Sequence, residues 1–281
     1  MEIVHTVENT RKILGRLSAE GKSIGFVPTM GALHEGHLDL MHRAKEENDY
    51  LVVSIFVNPI QFNNSEDLEK YPRTLETDIE KLESVECDLL FNPSEEEMYP
   101  EPVTVKYNFG KLDLVMEGKH RPGHFHGVAV VVKKLFDIIQ PDRAYFGQKD
   151  YQQLKVVEAL VNKESLPVDV VACPTVREQD GLAMSSRNER LDEEERELAP
   201  VLYQSLKQVE DLADKESVSE IKKWFEKQID RYKEIQLEYF EIADAESCMP
   251  VDEIKKGEKY VACVAAHIGN VRLIDNIIIN S

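Results

Sequence analysis

The sequence has few cysteines and no long hydrophobic run, and each shortage excludes a class of protein. Its four cysteines, Cys87, Cys173, Cys248 and Cys263, form no C-x-x-C pair and no zinc-site spacing. We therefore expect reduced thiols instead of a disulfide framework. No stretch approaches the roughly 20 apolar residues that cross a bilayer, and residues 1–6 do not resemble a signal peptide. We expect a cytoplasmic protein without a membrane span.

Basic residues are also scarce, because 34 Lys and Arg stand against 53 Asp and Glu and give a formal net charge of −19. General nucleic-acid binders need clustered basic residues, so we expect no nucleic-acid partner. The Walker loop, the G-x-G-x-x-G fingerprint and the G-x-S-x-G elbow are absent as well, which excludes the commonest phosphate-loop enzymes, dinucleotide dehydrogenases and serine hydrolases. Against this acidic background, Arg121, Lys149 and Arg187 are candidates for binding an anionic substrate.

What is present is enough apolar sequence for sizeable cores, 42% of 281 residues, arranged as alternating strands and helices. Helical spacing of apolar residues predicts helices at 7–19, 36–48, 74–85, 127–139 and 150–163. Runs of β-branched and aromatic residues predict strands at 24–27, 51–57, 88–91, 143–146 and 168–172. This alternation predicts a doubly wound, Rossmann-like parallel sheet, in which ligands bind beyond the carboxyl ends of the strands.

The character of the sequence changes beyond Asn188. An acidic helical region continues to about Tyr232, and runs with period-2 alternation follow at 235–242, 260–267 and 271–279. These runs predict a small antiparallel sheet. We therefore predict a Rossmann-like domain over residues 1–176 and a smaller C-terminal α+β domain over residues 177–281.

The most informative segment follows the predicted strand at 24–27. Gly31 permits a close turn, and helical spacing after it places His34 and His37 at a helix start. Unpaired backbone N–H groups and the helix dipole attract anions there, and two imidazoles add hydrogen-bond donors. We interpret the segment as a phosphate site. A shared metal ion is the alternative, although no third ligand lies nearby in the sequence.

Two amide side chains follow the next strand. Asn58 precedes Pro59, so it suits a turn cap and a ligand contact equally well. Gln61 lies between Ile60 and Phe62, a setting suited to holding a hydroxyl or carboxylate group in an apolar pocket. We predict that Gln61 faces a substrate.

Three further segments carry candidate binding residues. Lys149 can neutralise phosphate at another helix start, where Asp150 suits a helix cap. Gln153 lies one turn further on, where it either faces the pocket or is solvated. Residues 180–188 have the composition of a mobile phosphate clamp or an ordinary loop. Arg121 begins a glycine-bounded segment and can bind phosphate or carboxylate, whereas the histidines after it are more often structural than catalytic.

Five of these motifs occur in the order found in the pantoate–β-alanine ligase family, which the sequence resembles over nearly its whole length. The motifs lie at residues 28–37, 56–62, 121–125, 145–150 and 181–188. Residues 34–37 resemble the His-x-Gly-His signature of the wider nucleotidyltransferase superfamily, and residues 184–187 resemble its Lys-Met-Ser-Lys-Ser counterpart. The chain departs from the family pattern at Asn63-Asn64, where Gly is common, and at His126, where Arg is frequent.

The resemblance implies a two-step reaction. Pantoate would attack the α-phosphate of ATP to give pantoyl adenylate and pyrophosphate, and β-alanine would then attack the acyl carbon to give pantothenate and AMP. Mg²⁺ would arrive with ATP. The family also implies a homodimer through the N-terminal domain, with the C-terminal domain closing over the site to exclude water.

The resemblance also implies site residues. His34, His37, Lys149 and Arg187 would be catalytic, with His37 as the proton donor. Gln61 and Gln153 would bind pantoate, Gln61 also lying near β-alanine, and Asn58 and Arg121 are further substrate candidates. The implied ATP-binding set is Met30, Gly31, Ala32, Leu33, His34, Glu35, Gly36, His37, Gly147, Gln148, Lys149, Asp150, Val176, Met184, Ser185, Ser186 and Arg187.

Three alternatives are less favoured. An adenylyl- or cytidylyltransferase would leave the nucleotide on its product and need not carry the Gln61 and Gln153 amides. A regulatory nucleotide-binding module has no need of a complete phosphate clamp. A truncated aminoacyl-tRNA synthetase fits poorly with an acidic C-terminal region.

Overall fold

The structure is a computed structural model that describes residues 1–280, and the chain divides into two compact units. The first unit comprises Met1–Phe109, Arg121–Gln148 and Val156–Pro174. The second comprises Gly110–His120, Lys149–Lys155 and the chain from Thr175 onward. Two short segments that interrupt the first unit in sequence therefore belong to the second unit.

The first unit is built on a parallel sheet. Its six strands are β1 (Glu2–Val4), β2 (Ile24–Thr29), β3 (Tyr50–Ile55), β4 (Leu89–Phe91), β5 (Arg143–Gly147) and β6 (Asp169–Cys173). They lie in the order β1-β4-β3-β2-β5-β6, and every neighbouring pair is parallel. The predicted doubly wound sheet is confirmed. The sequence analysis missed β1, because three residues are too few to show a period.

Helices follow the strands in sequence. The first eight are α1 (Val7–Ala19), α2 (Glu35–Glu47), α3 (Ser65–Glu69), α4 (Leu75–Ser84), α5 (Glu95–Met98), α6 (Met116–His120), α7 (His124–Ile139) and α8 (Tyr151–Glu164). Short 3-10 turns occur at Pro59–Gln61, Gly110–Leu114, Gln148–Asp150 and Ser186–Arg190. Within residues 1–280, no helix combines the length and the apolar character that crossing a bilayer requires.

Burial on both faces explains the apolar strand sequences. Phe26 and Val27 of β2 are completely buried, and so is Leu51 of β3. Met41 and Ala44 of α2 are also without exposure and pack in the same core as Val27 and Leu51. A parallel sheet covered by helices buries alternate side chains on opposite faces, so its strands are apolar almost continuously.

The strand order changes direction at β2, which precedes the predicted phosphate segment. β3 and β4 extend the sheet on one side of β2, whereas β5 and β6 extend it on the other. The segments leaving β2 and β5 therefore diverge at the carboxyl edge, where such sheets bind ligands. The segment after β2 contains His34 and His37, and the segment after β5 begins at Gln148.

The second unit contains the predicted antiparallel sheet. Its strands are β7 (Ile235–Asp244), β8 (Lys259–Ile268) and β9 (Val271–Asn280), with β8 in the centre. Its C-terminal helices are α9 (Glu193–Leu198), α10 (Val201–Ala213) and α11 (Val218–Ile229). Phe225 of α11 stacks on Phe240 of β7 with ring centroids 3.8 Å apart, so apolar packing joins these helices to the sheet.

Candidate active site

The turn between β2 and α2 is held by a buried carboxylate. Gly31 and Ala32 have φ values of 82° and 50°, so two successive residues adopt left-handed backbone conformations. Asp78 of α4 is 1% exposed and accepts hydrogen bonds from Ala32 N at 2.9 Å and Leu33 N at 2.8 Å. Lys81 donates to the Leu33 carbonyl oxygen. These contacts fix an otherwise unfavourable turn.

His34 and His37 lie at the start of α2, as predicted. His34 is the N-cap residue, and its Nδ1 accepts from Gly36 N at 3.1 Å. His37 Nδ1 accepts from His34 N at 3.3 Å, and the ring centroids are 4.0 Å apart. Because each Nδ1 is an acceptor, the neutral rings carry their protons on Nε2. Both imidazoles are therefore Nε2–H donors beside a helix N-terminus.

Asn58 caps the turn that carries Gln61. It is completely buried, and its Oδ1 accepts from Tyr99 Oη at 2.9 Å and Ile60 N at 3.4 Å. Its Nδ2 donates to Gln61 Oε1 at 3.2 Å and to Gly127 O at 3.1 Å. The capping interpretation of Asn58 is confirmed, while a direct substrate contact stays a prediction.

Gln61 lies beside the segment that follows β2. Its Nε2 is 3.2 Å from Met30 Sδ, and its Oε1 accepts from Asn58. The structure therefore brings together Met30 and Gln61, which the sequence could not show to be neighbours. Arg121 lies in the turn before α7, where its carbonyl oxygen accepts from His124 N at 3.0 Å.

Lys149 belongs to the second unit, where it lies in the 3-10 turn before α8 and donates to Met184 O at 2.8 Å. Burial lowers the pKa of Lys149 from 10.5 to about 8, against the opposing effects of Asp150 and Asp275. Arg187 lowers the same pKa further. The ammonium group is therefore a poorly solvated cation, which strengthens its attraction for an anion.

Asp275 shapes the surroundings of Lys149. It is 5% exposed, and burial raises its pKa although Arg177 pairs with it through both oxygens, at 2.7 and 2.9 Å. The Arg177 guanidinium also lies 3.7 Å from the centroid of the Tyr203 ring. Asn276 Nδ2 donates to Lys149 O at 2.9 Å. The Asn276 amide thus fixes the backbone of Lys149, and the buried Arg177–Asp275 ion pair contributes to the electrostatic potential at its side chain.

The segment around residues 176–188 is internally hydrogen bonded. Met184 N donates to Val176 O at 3.0 Å, and Arg177 forms an antiparallel bridge with Ala183. Arg177 also donates to Gly181 O at 3.1 Å. The predicted clamp therefore has an ordered, hairpin-like base.

The Ser-Ser-Arg motif begins the next 3-10 turn. Ser185 Oγ accepts from Arg187 N at 3.2 Å and caps the turn, which starts at Ser186. Asn188 Nδ2 donates to Ala183 O at 3.1 Å. Among the described residues, Asn188 Oδ1 is a buried oxygen without a hydrogen-bond partner.

The remaining candidates lie around β5 and α8. Gly147 ends β5, Gln148–Asp150 forms a 3-10 turn, and Asp150 immediately precedes the first residue of α8. Gln153 of α8 is partly buried. Its neighbour Gln152 is 3% exposed and accepts from Glu117 N at 2.9 Å, so Gln152 supports α6.

The residues that support the candidate site were not predicted from the sequence. Asp78 is 45 positions from Leu33, and Asp275 is 98 positions from Arg177. No local pattern joins such residues, because only the fold brings them together. A single acidic residue on the apolar side of a short helix was the one available signal for Asp78.

The Nδ1 contacts of the two histidines lie within their own turn. Across residues 1–280, no group of three or more His, Cys, Asp or Glu side chains is placed to hold a metal ion. Both Nδ1 atoms accept backbone N–H groups instead. The arrangement is suited to binding phosphate oxygens.

Comparisons with known proteins agree with this geometry. The sequence model of the family described as pantoate-beta-alanine ligase matches residues 2–278. Pantothenate synthetase from Porphyromonas gingivalis strain W83 is 50% identical over 277 residues, covering 99% of each chain. The enzyme of that name from Thermotoga petrophila is 48% identical over 281 residues, covering 99% of this chain and 100% of the relative.

Solved structures give the same result. The crystal structure of pantothenate synthetase from Thermus thermophilus matches with a TM-score of 0.91 and 46% identity, covering 99% of both chains. That of pantoate-beta-alanine ligase from Francisella tularensis, complexed with beta-gamma ATP and beta-alanine, matches with a TM-score of 0.82 and 37% identity, covering 99% of this chain and 97% of the other. The predicted family is confirmed: the chain belongs to the pantoate–β-alanine ligases.

Proposed function

We propose that the chain condenses pantoate with β-alanine at the expense of ATP, forming pantothenate, AMP and pyrophosphate through pantoyl adenylate. The observation that carries this proposal is the pairing, within one unit, of two features. One is the paired-imidazole helix start after β2, and the other is the Gln61 amide held beside Met30. The first feature suits phosphate, and the second suits a polar organic acid.

The first step activates a carboxylate, which is otherwise a poor acyl donor. A carboxylate oxygen of pantoate attacks the α-phosphorus of ATP, and the bond to the bridging α–β oxygen breaks. In our assignment, His34 and His37 donate from Nε2 to the phosphate oxygens, and His37 is the proton donor. Lys149, Ser185, Ser186 and Arg187 bind the remaining phosphate oxygens. Their work is positioning and charge neutralisation.

Pantoate binding is assigned to Gln61 and Gln153, with Arg121 as a further partner for its carboxylate. Because Gln61 Oε1 already accepts from Asn58, its Nε2 is the atom oriented for a substrate oxygen. Asn58 is completely buried, so we assign it to orienting Gln61. Met30, Val176 and residues 147–150 are the proposed contacts of the adenosine moiety.

The second step transfers the acyl group. The amine nitrogen of β-alanine attacks the acyl carbon, the bond from that carbon to the adenylate oxygen breaks, and AMP leaves with that oxygen. The amine loses a proton as the amide forms. We place β-alanine near Gln61, since the amine must reach the carbonyl carbon of the bound pantoyl group.

We further propose that Mg²⁺ enters with ATP, that the chain forms a homodimer and that it acts in the cytoplasm. The Lys, Arg and His donors of the site suit phosphate oxygens, whereas Mg²⁺ prefers oxygen ligands. Bound to the phosphates, Mg²⁺ would neutralise part of their charge. The homodimer rests on the family resemblance, and light scattering on the purified chain measures it.

A product assay tests the proposed function. The purified chain is incubated with ATP, Mg²⁺ and pantoate, with and without β-alanine, and the products are identified by mass spectrometry. We expect pantoate-dependent pyrophosphate release in both mixtures, and pantothenate with AMP only when β-alanine is present. Intact ATP in both mixtures, with a folded chain that still binds ATP, would point to a related nucleotidyltransferase with another acceptor.

A further inference from the structure

The first turn of α7 clamps the backbone of Gln61. His124 Nδ1 lies 2.9 Å from the Gln61 carbonyl oxygen, and His124 is only 5% exposed. One turn further along, a Cβ on Gly127 would lie 2.5 Å from Gln61 Cα and 2.6 Å from Gln61 N. The helix therefore approaches the turn so closely at Gly127 that only a glycine fits. One helical turn earlier, the buried His124 imidazole forms a hydrogen bond with the Gln61 carbonyl oxygen.

The His124 contact has a defined direction. A carbonyl oxygen can only accept, so His124 Nδ1 must carry the proton. The contact therefore fixes the Nδ1–H tautomer of the neutral ring. His124 thus donates a hydrogen bond to the Gln61 backbone.

The same helical turn also holds the Gln61 side chain. Gly127 O accepts from Asn58 Nδ2 at 3.1 Å, and that amide group also donates to Gln61 Oε1 at 3.2 Å. The backbone and the amide of Gln61 are therefore both tied to the start of α7. This leaves Gln61 Nε2 directed toward Met30 Sδ, at 3.2 Å.

We propose that His124 is a positioning residue for the acid substrate, acting through the Gln61 carbonyl oxygen. The inference rests on the proposed function, in which Gln61 binds pantoate. A small displacement of a binding group removes much of its contribution to the binding free energy of the substrate, because hydrogen bonds weaken steeply with distance and angle. His124 would thus determine where the Gln61 amide meets pantoate without itself contacting the reacting atoms.

Two replacements of His124 distinguish the effect of its hydrogen-bond donor from the effect of its side-chain volume. His124→Asn places an amide nitrogen at the position of Nδ1, whereas His124→Gln keeps more volume but places its amide one bond too far along. We expect H124Q to raise the KM for pantoate about tenfold, as the loss of one buried hydrogen bond predicts. Its KM for ATP should stay within about twofold. H124N should restore the pantoate KM to within about threefold of the wild-type value.

His126 offers a matched control. It lies two positions further along α7, and its Nδ1 accepts from Tyr107 N at 3.2 Å, away from Gln61. His126→Ala should leave the KM for pantoate unchanged. A purely structural role for His124 predicts instead that H124Q lowers the amount of folded enzyme, and hence kcat, with a normal pantoate KM.

A double-variant cycle makes the test decisive. In a Gln61→Ala background, H124Q should raise the pantoate KM little further, because both changes remove the contribution of the Gln61 amide to pantoate binding. A normal pantoate KM for H124Q, failure of H124N to restore it, or fully additive effects would overturn the positioning role. Wild-type enzyme that neither binds pantoate in calorimetry nor releases pyrophosphate with it would overturn the proposed function itself, and the positioning role with it.

Discussion

At the scale of single residues, the candidate site contains groups that are costly for folding. Lys149 is desolvated, and its pKa of about 8 is well below the ordinary 10.5. Asp275 is buried, and its pKa is raised despite the ion pair with Arg177. Buried charges of this kind are retained where a ligand needs them, because removing them costs function more than stability.

The first prediction concerns Lys149→Met. A lowering from 10.5 to about 8 corresponds to a cost of about 3 kcal/mol for keeping the charged form. Part of the gain on removing the charge is offset by the lost bond to Met184 O, worth about 1 kcal/mol. We expect K149M to raise the free energy of unfolding at pH 7 by about 1–2 kcal/mol, measured by urea denaturation, while ATP-dependent turnover collapses.

The pH dependence of this gain has a definite sign. Between about pH 8 and 10.5, the unfolded wild-type chain binds a proton at Lys149 that the folded chain has lost, so wild-type stability rises with pH there. The gain in K149M should therefore be full below pH 8 and disappear before pH 10.5, above which only the loss of the bond to Met184 O remains. Lys207→Met, on the exposed side of α10, is the control. Equal stability of K149M and wild type at pH 7 would contradict the burial argument.

The second prediction concerns His37→Ala. Loss of the Nε2–H donor should slow pantoate-dependent pyrophosphate release at least 100-fold, which is about the lower limit for general acid catalysis. The melting temperature should change little. His42→Ala, on an exposed position of the same helix, provides the comparison. Pyrophosphate release by H37A at the wild-type rate would remove the proposed role of His37.

At the scale of elements, the turn between β2 and α2 depends on a residue from another helix. Asp78 of α4 accepts from two consecutive backbone N–H groups of a left-handed turn. The helix start that carries both histidines follows directly. The phosphate segment is thus assembled from two elements, although its recognisable motif lies in only one.

The third prediction tests this dependence with Asp78→Asn. An amide group can accept only one of the two backbone N–H groups, and its NH2 would face the other donor. We expect a loss of about 1–3 kcal/mol in stability and a KM for ATP raised about tenfold. Glu80→Gln removes the same charge from an exposed position of α4 and should change neither quantity. An unaltered KM for ATP in D78N would show that the turn does not need Asp78.

The elements themselves could largely be predicted from periodicity. The helix at 7–19 has the predicted bounds, and the five strands predicted for the parallel sheet differ by at most two residues at either end. The helix predicted at 127–139 begins three residues earlier, at His124. Gly123 in a left-handed conformation precedes it, whereas the sequence alone indicates a short glycine-bounded segment there.

The supporting contacts of the site could not be predicted in this way. The stacking of Arg177 on Tyr203 and the approach of Gly127 to Gln61 join residues 26 and 66 positions apart. Their side chains follow no local period, so only the folded chain identifies them. The same holds for residues 180–188, whose composition does not reveal the bridge between Arg177 and Ala183.

At the scale of the whole molecule, each unit carries a different part of the proposed chemistry. The first holds the paired imidazoles and the Gln61 amide, and the second holds Lys149, Gln153 and the Ser-Ser-Arg turn. The basic residues of the second unit stand in a chain with a net charge of −19. The proposed anion binding therefore rests on a few partly buried cations, and not on the charge of the surface as a whole.

The central claim is that the carboxylate of pantoate becomes an acyl adenylate, and an isotope experiment tests it most directly. Pantoate labelled with ¹⁸O in its carboxylate is turned over with ATP, Mg²⁺ and β-alanine, and the nucleotide product is analysed by mass spectrometry. The account predicts AMP that carries one ¹⁸O atom, because the bridging oxygen stays with phosphorus when the amine displaces it. Unlabelled AMP, or ADP formed together with ¹⁸O-labelled inorganic phosphate, would contradict it.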